Sequence, residues 1–226
     1  MPSQPISLDV ALARPATGAL TPVRPAAVTS APNLQSEGNL ELRLELRAAT
    51  ERVHDRLHRH AGFAAIKDAT IGLADYQDIL IRLYGFYLPF EAAMAIGPDR
   101  SDWLAADLGA LQSKRPLHSL IICADVPRLD TANRRLGALY VAEGSALGGR
   151  DLARSLDRLL GKEVTAGRRF FIGRGAETGL AWRRYLAQLS AAPPNPSARV
   201  EIIKGAVETF AAFEHWLNGW STSSHG

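Results

Sequence analysis

From Leu40 onward apolar residues recur with helical spacing. Leu42, Leu46, Ala49, Val53 and Leu57 fall four, three, four and four residues apart, which predicts an amphipathic helix over 40–58 with Asn39 as its N-cap. A second run over 73–96 carries Tyr76, Leu80, Leu83, Tyr84, Tyr87, Phe90 and Met94. Pro89 is expected to kink it and Gly97-Pro98 to end it. A short helix is predicted over 101–111. The longest pattern is "DTANRRLGALYVAEGSALGGRDLARSLDRLLG", with Asp130 or Thr131 as cap and Gly161 as stop. Two more helices follow the loop before 178 and the loop "APPNPS". One spans 178–189, with Ala181, Trp182, Tyr185 and Leu189 on one side. The other spans 198–220 and buries Ile202, Ile203, Val207, Phe210, Phe213 and Trp216 or Trp220. No alternating strand-like run and no repeat interrupts this series. The fold class is therefore all-α, with helices packed as layers or a bundle.

The first 37 residues read differently. They hold six of the thirteen prolines and no lasting periodicity, which predicts a disordered tail. The helical domain is placed at 38–221 and a short disordered end at 222–226. "SLIICA" is read as a core segment, far shorter than the roughly 18–20 apolar residues a membrane helix needs. No basic region followed by an apolar stretch marks a secretory signal.

Composition narrows the chemistry. The chain has 226 residues, 46% hydrophobic and 22% charged, enough for a real core in one domain. A single cysteine, Cys123, excludes an intramolecular disulfide framework and any cysteine-based zinc or cluster site, and reads as a small buried residue. A reduced cytoplasmic location is the simplest reading. The formal charge of +3 is scattered, so no nucleic-acid patch is expected, although an anionic ligand or an acidic partner would suit it.

Two helices carry candidate chemistry. On the first, "LRAATERVHDRLHRH" places His54 beside the apolar stripe, His58 one turn beyond it and Arg47 two turns before, roughly 10 Å along the axis. A neutral imidazole at the edge of a buried face is a natural axial ligand for haem iron, and an arginine on that face can pair with a propionate. The same residues also suit a half-buried surface histidine and a solvated arginine. A di-iron site is a third reading of Glu51–His54, but no second Glu-x-x-His exists in the chain. On the longest helix, Gly144, Gly148 and Gly149 crowd into six positions of "EGSALGGR", each at a cost of about 0.5–1 kcal/mol relative to alanine. Bare backbone there would let a flat ligand approach closely, and close helix–helix packing would explain it equally well. His60, His118, His215 and His225 read as surface residues. Tyr84, Phe86, Tyr87, Phe90 and Trp182 read as core, and Phe170-Phe171 as a packing anchor.

Four segments in order, "LRAATERVHDRLH", "YQDILIRLYGFYLPFE", "LYVAEGSALGGRDLARSLDRLLG" and "GRRFFIGRGAETGLAWRRYLAQL", resemble the bacterial haem oxygenases, in particular the type that supplies biliverdin to bacteriophytochromes. The resemblance covers about 44–216. It implies a fold in which haem, both substrate and cofactor, lies between a proximal and a glycine-kinked distal helix. It implies His54 as the axial ligand from "ATERVH", Arg47 at a propionate, and Gly144, Gly148 and Gly149 over the distal face. Arg183 and Arg184 fall where further basic residues meet the propionates. Many relatives carry an aspartate directly after the first distal glycine; this chain has Ser145, so Ser145 is expected to help order the distal water. One turn after the proximal histidine, where animal relatives have a carboxylate, stands His58. The implied products are biliverdin, carbon monoxide and ferrous iron. Electrons would come from an external ferredoxin or reductase, because no flavin or nicotinamide fingerprint is present. A haem-binding or haem-transfer protein without ring cleavage, a non-haem iron oxidase and a plain helical interaction module are the alternatives.

Overall fold

A computed structural model describes residues 34–97, 99–192 and 195–220. Within them run nine α-helices and no strand: α1 Leu34–His58, α2 Ala61–Lys67, α3 Leu73–Ala93, α4 Arg100–Ala110, α5 Ala132–Ser155, α6 Asp157–Leu160, α7 Arg169–Ile172, α8 Thr178–Ser190 and α9 Pro196–Leu217. The expected tail over 1–37 lies outside the described residues except for 34–37, which begin α1, and the expected end over 222–226 lies wholly outside them.

The start of α1 differs from expectation. Asn39 is interior rather than an N-cap, because an interior asparagine costs only roughly half a kcal/mol and does not by itself stop a helix. The buried stripe also runs differently, through Leu42, Leu46, Thr50 and Leu57, while Ala49 is exposed. Thr50 tolerates burial because its hydroxyl donates to the Leu46 carbonyl at 2.7 Å. α3 passes through Pro89 and ends at Ala93, three residues before the predicted end. Ala95, at φ +53°, completes the stop.

α9 is the organising element. It packs most heavily on α5 and also against α1. At the crossing with α5 the two backbones nearly touch: a methyl on Gly137 would strike the Ile202 carbonyl, and one on Gly205 would strike that of Arg134. Arg134 then bridges Glu201 at 2.7 Å and Glu208 at 3.0 Å across the same joint. Asn195 caps α9 by accepting from the Ala198 N–H at 2.7 Å. Along α9, Ile202, Phe210, Phe213 and Leu217 are buried, but Val207 points outward against expectation, since the buried face runs through its two preceding residues, Gly205 and Ala206, and the next position is turned away from it.

"SLIICA" is not core throughout. Cys123 is buried, but Ile121 and Ile122 are 76% and 50% exposed. The segment crosses α3 by its backbone: the Cys123 N–H donates to the Gly85 carbonyl at 2.8 Å, and Gly85 faces the Ile121 carbonyl. The two isoleucine side chains are thereby turned away. His60 is likewise not a surface residue. Its Nδ1 accepts from the Gly62 N–H at 3.3 Å as the N-cap of α2, and its Nε2 lies 3.2 Å from the Leu217 carbonyl. His118 and His215 are exposed as expected; His225 lies outside the described residues.

Candidate functional site

Two buried carboxylates set up the walls of a cleft. Glu91, near the end of α3, accepts from the backbone N–H groups of Asp99, Arg100 and Ser101 at 3.2, 2.7 and 3.2 Å, and from the Ser101 hydroxyl at 2.5 Å. It therefore satisfies the open donors at the start of α4 and fixes Arg100. Asp107, on α4, accepts from the Arg169 and Phe170 N–H groups at 2.7 and 2.8 Å. Removal from water pushes its carboxyl up to about 6, against the pull of those donors. The result is that α7, only four residues long, holds Phe170 and Phe171 in place.

The cleft has a volume of about 330 Å³, at the lower end of small-molecule sites. α1 supplies His54 and His58 to its lining, and α5 supplies Gly144, Ser145 and Gly148. Leu83, Phe170, Phe210 and Phe213 contribute apolar lining. The Phe210 ring stands edge-on to His54, with centroids 6.4 Å apart at 89°. His54 itself keeps 54% of its side chain accessible, so its ring is available to a ligand. The His58 imidazole is pushed below its ordinary value, first by removal from water and then by the neighbouring His54 and Lys67 side chains.

Of the four glycines of α5, the clustered Gly144, Gly148 and Gly149 are not equivalent. A methyl on Gly148 would meet nothing within 4 Å, and one on Gly144 would meet only the Trp182 ring at 3.7 Å. A methyl on Gly149 would come within 2.9 Å of the Phe171 carbonyl. Gly148 thus leaves open space in the cleft, while Gly149, which also borders the cleft, lets α7 pack against α5. Close helix packing accounts for Gly149, while Gly148 borders open space.

The expected arginines are not brought to the cleft. Arg47, Arg183 and Arg184 are exposed and none lines it. On α8 the reason is rotational. Trp182 and Tyr185 turn toward Tyr140 of α5, with centroids 5.9 and 6.2 Å away, which swings positions 183 and 184 outward. The cations that do line the cleft are Lys67 and Arg100. Sequence reading missed both. Arg100 is 4% exposed and pairs with Glu143 at 2.8 Å, immediately before Gly144. Tyr87 lines the same region and is buried, which raises its phenol above the ordinary value. The only available sequence signal for the Arg100–Glu143 pair was a charged residue inside an otherwise apolar stripe of α5.

A family model described as heme oxygenase matches residues 40–219. A heme oxygenase from Xanthomonas campestris pv. campestris (strain 8004) is 29% identical over 164 residues, covering 68% of this chain and 94% of the relative. The crystal structure of heme oxygenase-1 from the cyanobacterium Synechocystis sp. PCC6803 in complex with heme superposes with a TM-score of 0.60 at 19% identity, over 78% of this chain and 90% of that one. At that identity the last comparison speaks for the fold.

Proposed function

The chain belongs to the haem oxygenase family, and we propose that its cleft would take haem, with His54 holding the iron and the bare backbone at Gly144 and Gly148 leaving room beside the ring. The observation that carries this reading is that an accessible imidazole and bare helix backbone line one and the same aromatic cleft. The residues fit the group. Phenylalanines suit the apolar ring, neutral imidazole is a haem ligand, and a glycine whose Cβ position is open keeps the far side unobstructed. Bound haem supplies both the redox-active iron and the ring that is cleaved to biliverdin with release of carbon monoxide and ferrous iron.

The chain's own groups bind, orient and hold protons. Lys67, which lines the cleft, is the proposed partner for a propionate, in place of Arg47, Arg183 and Arg184, which do not line it. Ser145 offers a hydroxyl that donates and accepts on the distal side. Gly149 belongs to the packing of that wall. Arg100, held by Glu143 and fixed by Glu91 at the start of its helix, gives the distal region a rigid cation. It attracts and orders water that Ser145 alone would hold loosely. Electrons come from an external ferredoxin or reductase, in a cytoplasmic setting, and a bacteriophytochrome is the proposed recipient of the biliverdin. Among the described residues no helix is long and apolar enough to cross a membrane.

The test is a haem titration of the purified chain followed by aerobic reduction with ferredoxin and its reductase, catalase present. Loss of the Soret band with chromatographic identification of biliverdin is the expected result. An unchanged spectrum would make the protein a haem carrier.

A further inference from the structure

The two imidazoles of α1 face one another. His54 and His58 stand one helical turn apart, on the same face. Their Nε2 atoms are 3.2 Å from each other, and the rings meet at 65° with centroids 4.3 Å apart. Two imidazole nitrogens on one tetrahedral ion, each at about 2.0–2.1 Å from it, lie about 3.3–3.4 Å apart. The nitrogen spacing therefore matches a chelate, and the two exposed rings need only swing their centroids apart from 4.3 Å to about 5 Å to aim both lone pairs at one ion. Both residues keep contact with solvent and both line the cleft, so an ion can enter and complete its coordination with water. Asp55 lies on the other side of His54, its Oδ1 3.9 Å from Nδ1, where it adds negative charge without occupying Nε2.

We propose that, when the cleft holds no haem, His54 and His58 chelate one zinc ion, and that zinc and haem exclude each other because both require the Nε2 lone pair of His54. This rests on the reading of His54 as the axial ligand. Copper and nickel suit imidazole as well, and copper is bound more tightly by any given nitrogen site. The site is of modest affinity. No group of three or more metal-binding side chains gathers among the described residues, and the Lys67 ammonium at the same cleft opposes a cation. A two-imidazole site of this kind makes haem capture sensitive to free divalent metal, while haem loading expels the ion.

The experiment is a calorimetric titration of the haem-free full chain with zinc chloride at neutral pH, repeated on His58→Ala and His54→Ala. One equivalent of zinc is expected in wild type, with binding weakened at least about tenfold in either variant, the size of loss that follows removal of even an outer support of a metal site. With free zinc at ten times its own dissociation constant, the apparent dissociation constant for haem should rise about elevenfold by competition. A chromophoric chelator should then report zinc released as haem is added. Absence of zinc binding in wild type, equal binding by His58→Ala, or simultaneous binding of zinc and haem overturns the proposal, and leaves the 3.2 Å contact as a hydrogen bond between neutral rings. The axial assignment fails by a different result: a haem spectrum of His54→Ala indistinguishable from wild type.

Discussion

The two walls of the cleft are helices of nearly equal length, 25 residues in α1 and 24 in α5, and they contribute in opposite ways. α1 presents side chains: an imidazole, a second imidazole one turn on, and solvent beyond them. α5 presents bare backbone at Gly144 and Gly148 with only small side chains lining the cleft between them, backed by a buried charge pair at Arg100–Glu143. A ligand wall made of imidazole can be altered one atom set at a time. One made of bare backbone can be altered only by filling space. The two walls should therefore fail differently when mutated.

The largest effect is expected at His54. In His54→Ala the wild-type Soret position and axial spectroscopic signature should be lost and turnover should fall by at least about tenfold, since loss of the ligand itself exceeds loss of an outer support, which costs about 10–100-fold. The fold should be unaffected, as judged by circular dichroism, because the ring is largely accessible. On the other wall, Gly148→Leu fills space that is open in the absence of ligand. Haem affinity should fall by about 5–150-fold, the equivalent of an overpacking cost of about 1–3 kcal/mol, while thermal stability stays at or above wild type. If Gly148→Leu binds haem as tightly as wild type, α5 does not face the ring.

Adjacent glycines sharpen the contrast within α5. Gly149→Ala pushes a methyl against the Phe171 carbonyl and should destabilise the fold by about 1–3 kcal/mol. Gly148→Ala meets nothing and should stabilise the helix by about 0.5–1 kcal/mol. Urea denaturation of the two variants reads both signs. Equal shifts would mean that the two positions share one role.

The smallest effect concerns the joint between α2 and α9. Burial lowers the His60 imidazole below its ordinary value, and its Nδ1 must be unprotonated to accept the Gly62 N–H. Between the folded value and about 6.5 the unfolded chain binds the proton that the folded chain refuses, so stability rises with pH across that window. The contribution is complete above about 6.5 and is lost as pH falls through the folded value. His60→Asn, which can still cap α2, should flatten this dependence of the melting temperature. An unchanged slope would place the titration elsewhere.

Helix identity was legible in the sequence because each long helix buries one stripe, and spacing reports a stripe directly. Exact stripes were less so. The sets 42-46-49-53-57 and 42-46-50-53-57 fit a helix equally well, and choosing Thr50 over Ala49 required the carbonyl that accepts its hydroxyl. At the site, His54 and the glycine cluster were visible as exceptions: an imidazole beside an apolar stripe, and costly residues inside a helix.

The chain by itself determined an all-helical protein, its long helices and the residue types that make a haem-binding cleft plausible chemistry. These follow from local spacing and intrinsic backbone cost, which involve only near neighbours in sequence. Tertiary structure alone decided which glycine opens the cleft and which packs against Phe171, that Arg183 and Arg184 turn outward, and that Lys67 and Arg100 turn in. It also set the two imidazoles nitrogen to nitrogen. Each of those outcomes depends on the rotation of one helix against another, or on the rotamers that rotation permits, and that is fixed by packing between residues far apart in the chain.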